Sequence, residues 1–439
     1  ARASHALAFF VAKDALLRFV HVAAYAIIAM VILLRTLRLE STLRMSVCRL
    51  AVNLLPLKLL AVSLIAVLAL AACNRSTTPE ATPSPLPVPA TSEEATAIQP
   101  TATPTKAPTT TPAPSPSPTF DLMTFLATNA APEGVSPFTG LPVADATVLD
   151  RMPAAVKISN SPLARPQSGL SEADVVIEHL AEGGITRFTA IYHSQDAERI
   201  GSVRSARLID LEIPVLFDAF LVYSGASGDV ERMIENSDFA PFTLSDERKD
   251  PGFYRLDVPG HAYEHTLFTD SEILTRVAEQ ENWTGPPRSM GWAWSDSPPD
   301  DAQPAVAIEI PYSSEYSDVQ YDYDSEAGVY RRSILGEPHI DDLTGEQLAT
   351  PNVVVLYVNH VPTLIVEDLL GSKSVQIQLW EQGRMQLFRD GTVQEGTWTR
   401  PRREDPLVFL DEDANALELK PGPVWIEIVP LDMEVTVGE

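Results

Sequence analysis

Residues 175–192 read VVIEHLAEGGITRFTAIY. The runs Val175–Leu180 and Phe188–Tyr192 are rich in β-branched and aromatic side chains, and Glu182-Gly183-Gly184 lies between them. Two such runs around a glycine turn predict a pair of antiparallel strands. Upstream, Ala154–Ile158 reads as a further strand, and Ser171-Glu172-Ala173-Asp174 has the spacing of a one-turn capping box. Downstream, Ser205 is placed to cap a helix reaching about Phe217, with Pro214 limiting its end. Ala219–Tyr223 is another strand and Ser271–Gln280 another helix. Residues 284–304 then carry five prolines and mark a boundary. Beyond it the pattern is nearly all β: Ala305–Ile310, Val319–Tyr323, Val353–Val358, Val375–Leu379, Met385–Phe388 and Val424–Val429, with hairpin turns at 325–328 and 389–391. The expected fold is α+β, a layered β-rich sandwich with helices in a first lobe (120–290) and a mostly antiparallel β second lobe (300–439).

The chain holds 32 Lys/Arg against 59 Asp/Glu, a net charge of −27, although its first 72 residues contain eight of the basic and only two of the acidic residues. So acidic a remainder repels phosphate backbones, which excludes nonspecific nucleic-acid binding as a function. Two cysteines are present, Cys48 and Cys73. Nothing after Cys73 can therefore form a disulfide, a thiolate metal site or a cysteine nucleophile.

Leu59–Ala72 is an uncharged run preceded by Arg49 and Lys58, too short to span a bilayer comfortably. A basic flank, a short apolar core and small residues before a break are the parts of a secretory signal. The ending Leu70-Ala71-Ala72-Cys73 resembles the lipobox of bacterial lipoproteins, and that resemblance implies a signal peptide over 45–72 and acylation of Cys73. Anchoring to a cell membrane at its extracytoplasmic face would follow, since several acyl chains hold durably where one is marginal. Residues 1–44 are read as spurious upstream translation, with synthesis starting at Met45. Residues 73–119 begin with the lipidated cysteine and continue as a Thr/Pro-rich disordered stalk, in which proline removes donors and favours extended backbone.

Several constellations could carry chemistry. His261-Ala262-Tyr263-Glu264-His265 spells H-x-x-E-H, but zinc proteases need both histidines on one helical face. Here the flanking Pro259-Gly260 and Thr266–Thr269 predict a loop, and no metal or other cofactor is expected. Gly201–Arg207 places Arg204 and Arg207 on either side of Ser205, with Arg165 and Arg187 in the same region. Guanidinium groups bind carboxylate or phosphate bidentately, so Arg165, Arg187, Arg204, Arg207 and His265, helped by Ser205 at a helix start, form a candidate anion site. Internal pairing with Asp174, Glu178 or Glu182 is the alternative. Tyr223–Gly228 (YSGASG) lacks a P-loop lysine and the G-x-S-x-G spacing, and reads as a glycine-rich turn more readily than as a serine nucleophile.

Taken together, SPFTGLPV, NSPLARPQSGLSEADVVIEHLAEGGITRFTAIY, IGSVRSAR, FDAFLVYSGAS, EHTLFTD, PNVVV, FRDGTVQEGTW and PGPVWIEIVP resemble the YerB-like bacterial lipoproteins over roughly residues 136–432. The resemblance implies a lipid-anchored extracytoplasmic protein with two lobes, and it implies no reaction. The expected function is a noncatalytic surface lipoprotein that binds an anionic envelope component or partner protein. The alternative is an envelope hydrolase using Glu178 or Glu182 with His265 as acid–base partners.

Overall fold

The computed structural model describes residues 120–246, 252–258, 260–299, 302–313, 315–368 and 370–439. The signal, lipidation and stalk readings over 1–119 lie outside the described residues. Strands β1 (Ala154–Ser159), β2 (Val175–Leu180) and β3 (Thr186–Tyr192) form the middle of the molecule. As expected, β2 and β3 pair antiparallel, with His179 opposite Arg187, and β1 pairs antiparallel to the far side of β3. The turn joining β2 to β3 needs left-handed backbone at Gly183 (φ +70°) and Gly184 (φ +77°), which only glycine adopts without cost. Strands β4 (Phe220–Tyr223) and β5 (Thr243–Ser245) extend the sheet in parallel beyond β1.

Four α-helices accompany these strands among the described residues: α1 (Leu122–Thr128), α2 (Ile213–Leu216), α3 (Gly228–Glu235) and α4 (Ser271–Glu281). Helix α4 is capped by Asp270, whose carboxylate accepts from the Ile273 N–H at 2.7 Å, and it buries Leu274, Val277 and Ala278 at helical spacing. Three local expectations are corrected. Ser205 caps no helix; a 3-10 turn begins at Leu208 with Arg207 before it, because Asp210 accepts the Arg207 N–H at 2.6 Å. Pro214 stands in the first turn of α2, where its missing N–H costs nothing, instead of ending the helix. The capping box at Ser171 is likewise absent, because the Ser171 N–H and hydroxyl both donate to Asp341, at 2.9 and 2.7 Å.

The second half is built of β6 (Gln303–Pro304), β7 (Ala307–Ser313), β8 (Ser317–Asp324), β9 (Val329–Ile334), β10 (Asn352–Val358), β11 (His360–Val366), β12 (Lys373–Ile377), β13 (Glu381–Arg389), β14 (Thr392–Arg400), β15 (Val408–Leu410), β16 (Val424–Pro430) and β17 (Thr436–Gly438). Both expected hairpins form. The β13–β14 turn places Asp390 and Gly391 at φ +53° and +71°, the backbone that an Asp-Gly pair favours.

One 11-stranded sheet runs β6-β14-β13-β10-β16-β2-β3-β1-β4-β5, with β15 on the side of β14. Strands from both sides of the proline-rich segment thus share a single sheet, joined where β2 runs parallel to β16. A six-stranded sheet containing β7, β8, β9 and β17 lies over one face of it. There Val176, Phe188, Val353 and Trp425 pack with Ile308, Tyr321 and Tyr330, and α4 continues the layer. On the opposite face Ala155, Ile177, Ile191 and Ile426 pack with Phe138, Phe217, Trp292 and Phe409. The architecture is α+β, layered and β-rich.

Candidate functional site

Side chains alternate across a strand, so neighbouring residues of β2 part company. His179 shares a face with Lys157 of β1 and with Arg187 and Thr189 of β3, while Glu178 faces the six-stranded sheet. Lys157 is fully buried, and its ammonium meets Thr189 Oγ1 at 2.9 Å, Asp210 at 2.9 Å and His179 Nε2 at 2.6 Å. Burial outweighs the attraction of Asp210 and brings this lysine down to about 8. The group is satisfied on every side and enclosed, which suits a structural brace.

The edge of the sheet just beyond this brace is different. Strands β1, β2, β4, β10 and β16 all point the same way, and open α/β sheets gather ligands outside the carboxyl ends of such strands. At that edge Glu182, in the β2–β3 turn, receives a fork from Arg207, with Nε to Oε2 at 2.5 Å and Nη2 to Oε1. Arg187 Nη2 lies 3.6 Å from the same carboxylate. Burial alone would raise Glu182, but the Arg207 bonds and the two positive charges bring it down to about 2. The loop bearing Arg204 is stitched to the glycine-rich loop after β4, since Ser224 N donates to Arg204 O and Ala206 N donates to Gly225 O, both at 3.0 Å. Glu367, just after β11, reaches in from the β11–β12 hairpin to 3.8 Å from Arg207 Nε with its side chain fully buried.

Two guanidinium groups, Arg187 and Arg207, therefore meet two carboxylates, with Arg204 beside them, and the hydrogen bonding is unfinished. Arg187 Nε, Arg204 Nε, His265 Nδ1 and both carboxylate oxygens of Glu367 are buried without a hydrogen bond inside the protein. Burial, then the neighbouring Arg207, pushes Arg187 down to about 10; burial, then Arg204, lowers the His265 imidazole below its ordinary range. Buried polar groups are nearly always paired, so donors left over at a loop-lined sheet edge are groups suited to a ligand.

The structure brings Arg187, Arg204, Arg207 and His265 to one place, with Ser205 half-buried between the two loop arginines and its carbonyl 3.3 Å from Arg207 Nη1. Arg165 is not among them. It lies on the Glu178 side, donating to Asn160 O at 2.8 Å and Tyr316 O at 2.5 Å. Glu178 is likewise remote from His265: it accepts from Arg332 at 2.5 Å and Asn160 at 3.0 Å on the opposite face. The H-x-x-E-H stretch contributes a 3-10 turn, Tyr263–His265, whose Glu264 carbonyl accepts from Arg204 at 3.3 Å. No group of three His, Cys, Asp or Glu side chains placed to hold a metal occurs among the described residues.

Residues 138–284 match the family described as "Protein of unknown function (DUF3048) N-terminal domain", and residues 308–426 match its C-terminal domain. A Bacillus subtilis (strain 168) protein described as "Putative lipoprotein YerB" is 33% identical over 300 residues, spanning 67% of this chain and 86% of that one. This chain belongs to the DUF3048 family. The crystal structure of the YerB protein from Bacillus subtilis superposes with a TM-score of 0.59 at 31% identity, covering 70% of this chain and 99% of that one.

Within this DUF3048 chain the two family regions meet at the candidate site, because Glu367 comes from the C-terminal domain and the arginines from the N-terminal one. Sequence reading missed Glu367 and Arg332. No local pattern marks either, since each partners a residue more than 150 positions away. The only available signal was an acidic residue in an otherwise apolar strand run, VPTLIVED at 361–368.

Proposed function

We propose that this DUF3048 protein is a lipoprotein anchored through Cys73 at the extracytoplasmic face of the cell membrane. There it binds an anionic group of an envelope component or partner protein with Arg187, Arg204, Arg207 and His265. The observation that carries the binding reading is the surplus of guanidinium N–H groups at the carboxyl edge of the sheet, beside a half-exposed loop. Charge-assisted, bidentate bonds are what arginine offers to carboxylate or phosphate. The lipobox-like LALAAC and the description of the Bacillus subtilis relative support the anchor. No helix among the described residues is long and apolar enough to cross a membrane.

The hydrolase reading gains no geometric support. Glu182 is held ionised by Arg207, far below the range of a general base at neutral pH, and Glu178 is separated from His265 by the sheet. Two measurements test the proposal. Labelled palmitate should be incorporated into the full chain and lost in Cys73→Ala; retention of label sinks the anchor. Titration with inorganic polyphosphate and with poly-L-glutamate should show saturable binding to at least one, weakened at least fivefold in Arg204→Gln. Unchanged affinity in that variant removes the arginine cluster from the function.

A further inference from the structure

A separate recess lies at the other end of the central strands, where β1 and β4 begin and β3 ends. It is a cavity of about 420 Å³ between α4 and the segment leading into β1, within the range of small-molecule sites. Its wall is apolar and aromatic: Met152, Phe220, Leu274 and Trp283 contribute, with the Phe220 and Trp283 rings 5.1 Å apart. The charges around it are of one effective sign. Arg151 is the single cation in the lining, and it is already committed to Asp196 at 3.0 Å and to the His193 carbonyl at 2.8 Å. Asp150 and Glu279 also line the cavity, are exposed, and have no side-chain partner.

One polar contributor to the lining is unusual. His193 is only 3% exposed and packs edge-on against Phe138 at 5.3 Å, yet neither ring nitrogen makes a hydrogen bond of good geometry, although backbone of Leu149 and Arg151 lies close. Burial, followed by the nearby Arg151 charge, pushes it down to about 4, so the imidazole adds no cation to the lining at ordinary pH. An anionic ligand would meet two unneutralised carboxylates and no free cation. A neutral apolar ligand would leave the acidic rim unused.

We propose that this cavity binds a small hydrophobic cation, an aromatic or branched apolar body carrying an ammonium group, with the body against Phe220 and Trp283 and the ammonium at Asp150 and Glu279. Aromatic faces attract cations through the ring quadrupole, so the wall and the rim favour the same ligand. This site is independent of the arginine cluster, which occupies the opposite edge of the strands and favours the opposite charge.

Three probes of matched shape test it: 2-phenylethylamine, 2-phenylethanol and phenylacetate, titrated calorimetrically into the purified full chain. The amine is expected to bind saturably and at least tenfold more tightly than phenylacetate. Asp150→Asn combined with Glu279→Gln changes only exposed groups, and it should weaken the amine at least fivefold while leaving 2-phenylethanol within twofold. Arg204→Gln should leave amine binding unchanged. Equal affinity for the three probes, no saturation by any of them, an unaffected double variant, or loss of amine binding in Arg204→Gln would each overturn the assignment.

Discussion

Glu178 and Glu182 are four residues apart and both meet an arginine, Arg332 and Arg207 respectively, and yet the two pairs behave as different kinds of structure. Glu178 lies between the sheets. It accepts from Arg332, Asn160 and Thr186, and Arg332 in turn meets His339, whose other nitrogen lies 2.6 Å from Gln167 Oε1. The Arg332 guanidinium also lies 5.1 Å from the Trp425 ring and 5.5 Å from that of Phe188. Apart from Arg332 Nε, every side-chain nitrogen and oxygen of this pair has a hydrogen-bond partner. Glu182 has a strong partner in Arg207, but the cations and the Glu367 carboxylate around it are left incompletely bonded. A buried ion pair stabilises only when its remaining hydrogen bonds are made. The nearly complete network fastens two layers together, and the incomplete one lies at the carboxyl edge of the sheet, among loops.

The largest effect expected from this contrast is on the first network. Arg332→Met leaves Glu178 buried without its cation and should cost about 3–5 kcal/mol of stability by urea unfolding. Removing both charges, with Glu178→Gln added, should recover a substantial part. A loss below about 1 kcal/mol in the single variant would break the distinction between fastener and site.

Next comes a pH effect in the same layer. Burial and then the neighbouring Glu178 charge push Glu427 up to about 8, and the hydroxyls of Tyr312 and Tyr321 bracket it. The unfolded carboxyl titrates near 4.5. Between these values the folded state holds the extra proton, so this group's contribution to stability declines as pH rises from about 5 to 8. Glu427→Gln removes that decline. Its stability relative to the unsubstituted protein should therefore grow across the window by on the order of a few kcal/mol, at roughly 1.4 kcal/mol per pKa unit. Parallel curves in unfolding midpoints measured at pH 5, 6, 7 and 8 would contradict this.

Smaller effects are expected at the sheet edge. Glu367→Gln withdraws a carboxylate that makes no hydrogen bond, so stability should change by no more than about 1 kcal/mol, while affinity for polyphosphate rises several-fold as a competing anion is removed. Weaker binding would mean that Glu367 organises the arginines instead of competing for them. Arg204→Gln should be the mildest for folding, within about 0.5–1 kcal/mol by the same unfolding assay, because its side chain is half-buried and makes one long bond to a carbonyl. A loss as large as that of Arg332→Met would place it in the fastening class.

Much of this contrast was half-visible beforehand. The β2–β3 hairpin was legible because β-branched runs and a Gly-Gly turn are local properties, and α4 was legible from its apolar spacing. Arg187, Arg204 and Arg207 were grouped because they lie close together in sequence, and His265 was added from the EHTLFTD stretch. Arg165 was grouped with them by the same proximity and proved to face the other layer. Ser205 was misread as a cap because serine's preference for helix starts says nothing of Asp210, which takes the neighbouring N–H and shifts the start.

The sequence by itself determined the composition class, the positions of most strands, the membership of the chain among YerB-like proteins and a short list of candidate cations. These follow from local propensity, periodicity and residue type. Only the tertiary structure decided that the two halves share one sheet, that Glu178 meets Arg332 between the layers, and that a hairpin from the second half delivers Glu367 to arginines of the first. Those outcomes depend on register and on partners more than 150 residues away, and the free energy of burying and pairing a charge is set by the neighbours that arrive in space.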